Sequence, residues 1–459
     1  MIRGFQGVAV FVFASLLISI PSAQAAPTVF PTGTTIYQPD KTWNGFTVLS
    51  VLDTQAVQVI DMNGKVVKRW NDFNVSAGGP ARILPNGIVV ASAGANPGHQ
   101  EGTELRQEDF NGNTTWRFDS NEQIPAESGG TRPSARQHHD WQRSDFPAGY
   151  YSPSFTPAAE GVTTLLLTHT THTVPAVADI ELEDDRLIEI DWQGNIRWEW
   201  KASDHIDAFG FNADERAAIR NSPTMGPRRG PYDWFHINSA TYVGPNQWYD
   251  AGDQRFAPDN VIISSRQSSL VAIVSHQDGS IVWQLGPDFS RDEAQWKIGQ
   301  IIGQHHAHFI PPGLPGAGHV MIFDNGGSSG YGKPGALTRS GQGVHQRSNS
   351  RVLEINPTTL EVVWSYTAPN FFSTNISSAQ RLPNGNTLIT EGAPGRVFEV
   401  TAEKQIVWEY MAPPGESARG SNAVYRAYRI PYGWIPQLAV PQQRAVTPPK
   451  AGSFMLPAD

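Results

Sequence analysis

The stretch QHHAHF, Gln304 to Phe309, places three histidines in four consecutive positions of a chain that has 13 in all. A second histidine motif, PYDWFHINS around His236, lies upstream, and QHHDWQR carries His138 and His139. Imidazole titrates near neutrality, so each ring is a potential proton carrier, nucleophile or metal ligand. Metal binding needs rings that share a face. His306 and His308, at i and i+2 of a strand, do so, and His236 is a possible third ligand. No cysteine and no evident carboxylate neighbour completes that set. A metal-free group of imidazoles with an arginine suits a different chemistry, nucleophilic attack on an anionic centre, with a second histidine protonating the leaving oxygen and the arginine absorbing negative charge.

The elements that position these residues are announced by tryptophan. An alternating strand, a polar or glycine turn and a second strand containing Trp recur at Trp70, Trp116, Trp198, Trp283, Trp364 and Trp408. Upstream of most of them lies another pair of strands joined by a Pro/Asn/Gly turn, as in ARILPNGIVVAS and SAQRLPNGNTLITEG. Four strands per unit, six times over, predict an all-β fold, a six-bladed β-propeller. Two separate β-sandwiches would not explain the repeated Trp hairpin. The outer tryptophans are spaced by 46 and 44 residues, the length of a bare blade, and the middle ones by 81 to 85. The middle blades therefore carry long insertions, such as 210–232 and 326–350, expected on one rim around the channel mouth.

Superposing the units on their turns aligns Leu84, Val243, Ile310 and Leu382. The start of that strand then holds His236 and Asn238 in one unit, and His305, His306 and His308 in another. Asn375, Ser377 and Ser378 occupy it in the last unit, and His138 and His139 in the third. If this is the innermost strand, these side chains converge on the channel. A second column, at the end of the next strand, holds His169, Arg266, Asp324 with Asn325, and Glu391. His99, His205, His276 and His319 fall outside both columns and read as hydrogen-bonded strand-end residues.

Composition bounds the rest. The N-terminus has an early Arg3, an apolar run from Val8 to Ile20 and a small-residue Ala23-Gln24-Ala25 end, the layout of a secretory signal peptide over 1–25. It predicts a periplasmic or secreted protein with a propeller over 26–435, a C-terminal extension over 436–459, and no membrane association after cleavage. With no cysteine, disulfides, a lipid-anchored N-terminal Cys, CxxCH haem attachment and thiolate chemistry are excluded. A formal charge of −9 argues against nucleic acid or anionic lipid as partner. Charged residues are only 17 %, and 43 Gly with 35 Pro fit many short strands and turns.

Taken together, DWFHINSA, NVIISSRQSSLVAI followed by GSIVWQLGP, QHHAHF, IFDNG and SRVLEI resemble, in order, the bacterial PAPS-independent arylsulfotransferases. The resemblance implies an exported six-bladed propeller that moves a sulfuryl group from a phenolic sulfate ester to a phenol. It implies a ping-pong route through a sulfated histidine, without nucleotide, metal or other cofactor. It also implies that His236 and His305 line the sulfate pocket. The chain departs from the family at two places: LITEGAPGRVFEV has no histidine from Glu391 to Arg396, where the family's nucleophile lies, and no arginine follows FDNG until Arg339. The expectation is therefore a divergent member in which His305 or His306 is the substitute nucleophile, His236 the acid/base and Arg266 the charge clamp. Asn238, His308 and Asn325 complete the substrate site. His305 is expected to face the channel opposite Ser377 and Asn238, His306 to flank it or pack under the 326–350 insertion, and His308 to be the most buried. Two other functions fit the same residues: a metal-assisted lyase or hydrolase on an acidic glycan, with His236, His306 and His308 as ligands, and a non-catalytic ligand-binding propeller.

Overall fold

The computed structural model describes residues 32–448 apart from 53, 76–78, 97, 127, 224–231, 333–341 and 416–420. The expected signal peptide and Arg339 lie outside the described residues. No helix among those described is long and apolar enough to cross a membrane.

Six sheets, each built on four antiparallel strands, form a ring, as the six Trp hairpins predict. Their innermost strands are Arg82–Leu84, Gln137–Arg143, Ile237–Tyr242, His305–Phe309 and Ser378–Arg381 in blades 2 to 6. Blade 1 is assembled from both ends of the chain: its inner strand is Val424–Ile430, followed outward by Phe46–Val51, Ala56–Ile60 and Val66–Asn71. A second closure adds Gly33–Tyr37 outside Ile406–Met411 as a fifth strand of blade 6. The chain after the propeller returns to this seam, where Val446 bridges Tyr37.

β-Branched and aromatic runs such as VIISS and LVAIV are buried on both faces because each blade packs against two neighbours. The core lies between sheets: Ile263, Leu270 and Ala272 of blade 4 meet Leu165, Leu167 and Leu187 of blade 3. Replacing one such Leu or Ile by alanine costs about 2–5 kcal/mol.

The tryptophan repeat has one physical basis. Each outer-strand indole donates its Nε1–H to a carbonyl in the outer hairpin of the next blade, at 2.8–3.0 Å: Trp70 to Asp109, Trp116 to Trp192, Trp198 to His276, Trp283 to Pro357, Trp364 to Ala402 and Trp408 to Met62. The accepting turns are stiffened by Asx bonds, as at Asp61, whose Oδ1 accepts the N–H of Asn63 and of Lys65.

The insertions build one another. Within 210–232 a helix, Ala213–Asn221, starts on a capping box in which Asn212 and Glu215 exchange bonds. Within 326–350 a small hairpin, Ser329–Tyr331 with Gln342–His345, lies beside it, and Phe211 meets the Tyr331 ring edge-on. The Tyr331 hydroxyl donates to the Trp234 carbonyl and Ser329 Oγ to the Arg266 carbonyl. The 326–350 insertion is thus seated on the segment that carries His236.

Candidate active site

The aligned column is real: Val243, Ile310 and Leu382 each directly follow an inner strand, and each donates its N–H across the turn, to Asn260, His319 and Asn386. At the other end of the inner strands, the register slips in blades 3, 4 and 5, between Gln137 and Trp141, Ile237 and Ser239, and His305 and His308. Left-handed backbone at or beside each slip, φ 52° at His139, 54° at His236 and 53° at His306, breaks the up-down alternation of side chains. Such conformations cost roughly 1 kcal/mol or more each and persist only where packing holds them.

In blade 5 the result differs from the expected division of labour. His305 reaches blade 6, where its Nε2 accepts the Ile376 N–H at 3.0 Å. Its proton therefore sits on Nδ1, which donates to Asn325 Oδ1 at 2.8 Å. Asn325 Nδ2 donates to the Ser373 and Ile376 carbonyls. Both nitrogens of His305 are engaged, leaving no lone pair for a sulfur centre, and Asn325 is a brace between blades. This geometry speaks against His305 as nucleophile.

His306 does not pack under the insertion. Its Nε2 lies 3.3 Å from the Tyr428 hydroxyl, with the His308 ring at 4.2 Å. His308 donates Nδ1–H to the His306 carbonyl and faces the Tyr150 hydroxyl through Nε2. His306 and His308 are both fully buried. Burial holds all three rings neutral: His305 and His306 well below the usual imidazole range, with Arg266 and His308 as the respective next causes, and His308 down to about 4. Among the described residues, His236, His306 and His308 do not form a cluster close enough to share an ion, so that expected ligand set is not assembled.

The open chemistry lies between blades 3 and 4. Asp233, in the two-residue strand Tyr232–Asp233 beside blade 3, accepts a short hydrogen bond from His236 Nδ1. A carboxylate only accepts, so the Nε2 lone pair of His236 is left uncommitted. Burial would raise the Asp233 carboxyl, but His236 outweighs it and holds the group below its usual range. The His139 ring stands edge-on to His236 with centroids 4.5 Å apart, and its Nδ1 is 2.8 Å from His138 Nδ1. His139 is half-buried, the least covered of these rings. The blade closed by the C-terminal strand adds Tyr425, whose hydroxyl donates to the His139 carbonyl, and Arg426, bonded to Asp140 and the Asn238 carbonyl. Asn238 itself donates to the Gln304 carbonyl, tying blade 4 to blade 5.

Arg266 donates to the Ser328 carbonyl at 3.3 Å. Burial lowers its pKa and Asp233 opposes the shift. It lines a cavity of about 620 Å³ with Gly327, Ser328, Arg347, Phe372 and Thr374. Arg347, paired with Asp324 at 2.8 Å, puts an arginine beside the FDNG turn from the far side of the insertion. At the family's histidine position Glu391 and Arg396 form an ion pair at 3.1 Å.

Sequence reasoning passed over Asp233, although it stands inside the DWFH motif, three residues before His236. It put His139 in the aligned column but gave it no role, although Pro147–Gly149 supplies the turn that registers its strand. Tyr425 and Arg426 had no signal, since nothing local says that their strand closes the first blade.

No curated protein matches the chain in sequence. Among solved structures it is similar to a protein of unknown function from Bacteroides caccae, at 9 % identity and TM-score 0.43 over 84 % of this chain and 99 % of that one. It is also similar to streptogramin B lyase, at 12 % and 0.37 over 87 % and 93 %, and to the Dos1 propeller, at 9 % and 0.32 over 85 % and 74 %. At such identities the likeness says nothing about activity. The family model for arylsulfotransferase (ASST) matches residues 137–411, from the inner strand of blade 3 to the last strand of blade 6. That span is more than half the sequence and holds His139, Asp233, His236 and Arg266, and the chain belongs to the arylsulfotransferase family.

Proposed function

We propose that the protein transfers a sulfuryl group from a phenolic sulfate ester to a phenol, with His236 as nucleophile. The observation that supports this reading is the Asp233–His236–His139 arrangement: one ring oriented by a carboxylate with Nε2 free, and a second ring in contact with it. His236 Nε2 attacks sulfur, the bond from sulfur to the phenolic oxygen breaks, and His139, held neutral by burial, donates an N–H hydrogen bond to the departing phenolate, which takes its proton from water. In the second half the acceptor phenol gives its proton to water and attacks the sulfo-histidine, whose S–N bond breaks. Arg266 and Arg426 supply positive charge beside the reacting anion. The cavity at Arg266 and Phe372 receives the aryl group. The signal-peptide-like apolar run Val8 to Ile20 supports a reaction outside the cytoplasm.

Incubation with p-nitrophenyl sulfate and phenol tests the proposal. Nitrophenol release that depends on the acceptor, and a peptide sulfated at His236 when the acceptor is withheld, are expected. Failure of the wild-type protein to release nitrophenol with any of several phenols would overturn the transfer reading.

A further inference from the structure

Beside His139 lies a second constellation that the proposed reaction does not use. His138 Nε2, His169 Nε2 and Asp185 Oδ1 come from three elements: the inner strand of blade 3 and its neighbours Thr164–Thr173 and Glu181–Ile190. All three side chains are fully buried, and none of the three atoms has a hydrogen-bond partner. A buried nitrogen or oxygen left unpaired costs about 1–3 kcal/mol, so three aimed at one point call for an occupant.

We propose that these three atoms bind one divalent first-row transition ion such as Zn²⁺. Asp185 Oδ1 is 3.3 Å from His138 Nε2 and 3.9 Å from His169 Nε2, and the three lie within 4.8 Å of one another. Tetrahedral ligands at bond lengths of about 2.0–2.1 Å stand about 3.3–3.4 Å apart, so a small closure suffices. Two imidazoles and one carboxylate are a donor set for such an ion, with a fourth position left over.

The surroundings hold each ligand by its other end, the pattern found around metal sites. His169 Nδ1 faces Glu101 Oε2 at 3.1 Å, and Glu101 is fixed by Arg136 and Asn96. Asp185 Oδ2 accepts the Ile237 N–H at 2.8 Å, and His138 Nδ1 meets His139. Charge points the same way: Arg136 pairs with Glu101 and Glu183, while the carboxylates of Asp185 and Asp233 act on each other. The His138 and His169 rings are stacked, with centroids 3.6 Å apart and planes 14° from parallel. Their lone pairs therefore run nearly side by side, and binding requires one ring to turn about its Cβ–Cγ bond.

An ion on His138 Nε2 confines that ring's proton to Nδ1. His138 then donates to His139 Nδ1, and His139 carries its own proton on Nε2, toward His236. This last consequence rests on the proposed transfer reaction; ion binding does not.

The full-length protein is analysed for metal as purified and after loading with Zn²⁺ or Co²⁺ and desalting, and melting temperatures are recorded with and without Zn²⁺. One ion per chain, tetrahedral-type Co²⁺ absorption and a Zn²⁺-induced rise in Tm are expected. All three should be lost in His138→Gln and Asp185→Asn and kept in His99→Gln. Wild-type protein that retains no ion after loading overturns the proposal, as does binding unchanged in both variants. Loss only in His99→Gln places the ion instead at the neighbouring His99, Glu101 and Glu183, and also overturns it. Should a variant fail to fold, the wild-type stoichiometry and Co²⁺ spectrum decide alone. Because no substrate is used, protein that binds Co²⁺ but releases no nitrophenol sinks only the transfer reading.

Discussion

An imidazole is useful to chemistry only at the nitrogen its neighbours leave free, and this separates histidines that the sequence cannot distinguish. His305→Ala strands the buried Ile376 N–H and Asn325 Oδ1 and should cost about 2–4 kcal/mol, read from urea unfolding. His236→Ala should lower kcat at least about 10³-fold with little change in Tm, and Asp233→Asn about 10²-fold or more through the wrong tautomer. If His236→Ala keeps wild-type kcat while His305→Ala loses activity without destabilisation, the two roles are reversed. His308 makes a pH prediction. Its folded pKa is about 4 against about 6.5 unfolded, so between these values the unfolded chain binds the extra proton and stability falls as pH falls. The loss approaches about 3 kcal/mol from this ring, and urea midpoints of His308→Gln measured at pH 7, 5.5 and 4.5 should decline less steeply than those of the wild type. At this scale the sequence revealed which residues gather, because His236, His305 and Arg266 sit in motifs that align between units. It hid the roles, because a hydrogen bond from the Ile376 amide, 71 residues from His305 along the chain, has no local trace.

Strand alternation is the usual licence for deciding which side chains share a face, and in this protein it fails where the chemistry is. The register slips of blades 3, 4 and 5 release neighbouring side chains from opposite faces, so that His138 and His139, adjacent in sequence, touch through their Nδ1 atoms. His, Asn and Ser do not advertise a left-handed position as glycine does, which is why the packing of His306 against Tyr428 and not under the insertion had no local trace, although His306 and His308 do lie side by side as expected. The His139 slip is held partly by a close backbone approach. Gly79 has φ +97°, and a Cβ there would lie 2.4 Å from the His139 carbonyl oxygen. Gly79→Ala should therefore displace His139 and reduce kcat by roughly 10-fold or more while KM moves little, as steady-state kinetics would show. An unchanged kcat would mean that the slip is set by blade 3 alone. The hairpins, by contrast, were legible throughout, since their turn chemistry and terminal Trp are local.

At the scale of the whole molecule, the repeat was readable but the seam was not: six Trp hairpins announce six blades, yet nothing in VYRAYRI says that it is the innermost strand of the first. Removing Val424 onward takes away that strand, with Tyr425, Arg426 and the buried Arg429–Glu399 pair at 3.1 Å. It should abolish the cooperative urea transition, whereas deleting the outer Gly33–Tyr37 strand should lower the midpoint but leave a transition. Equal loss in both would mean that the outer strand closes the ring. The six indole-to-carbonyl bonds carry a last implication. The bond from Trp408 to Met62 spans the seam, yet it is the same contact, at 2.8 Å, that joins every other pair of blades. Geometrically the ring of indole bonds has no first member, and the covalent break lies inside blade 1, between its inner strand Val424–Ile430 and Phe46–Val51. A circularly permuted chain, its old ends joined by a flexible linker and new ends cut between blades 1 and 2, would keep all six indole bonds and every residue of the histidine site.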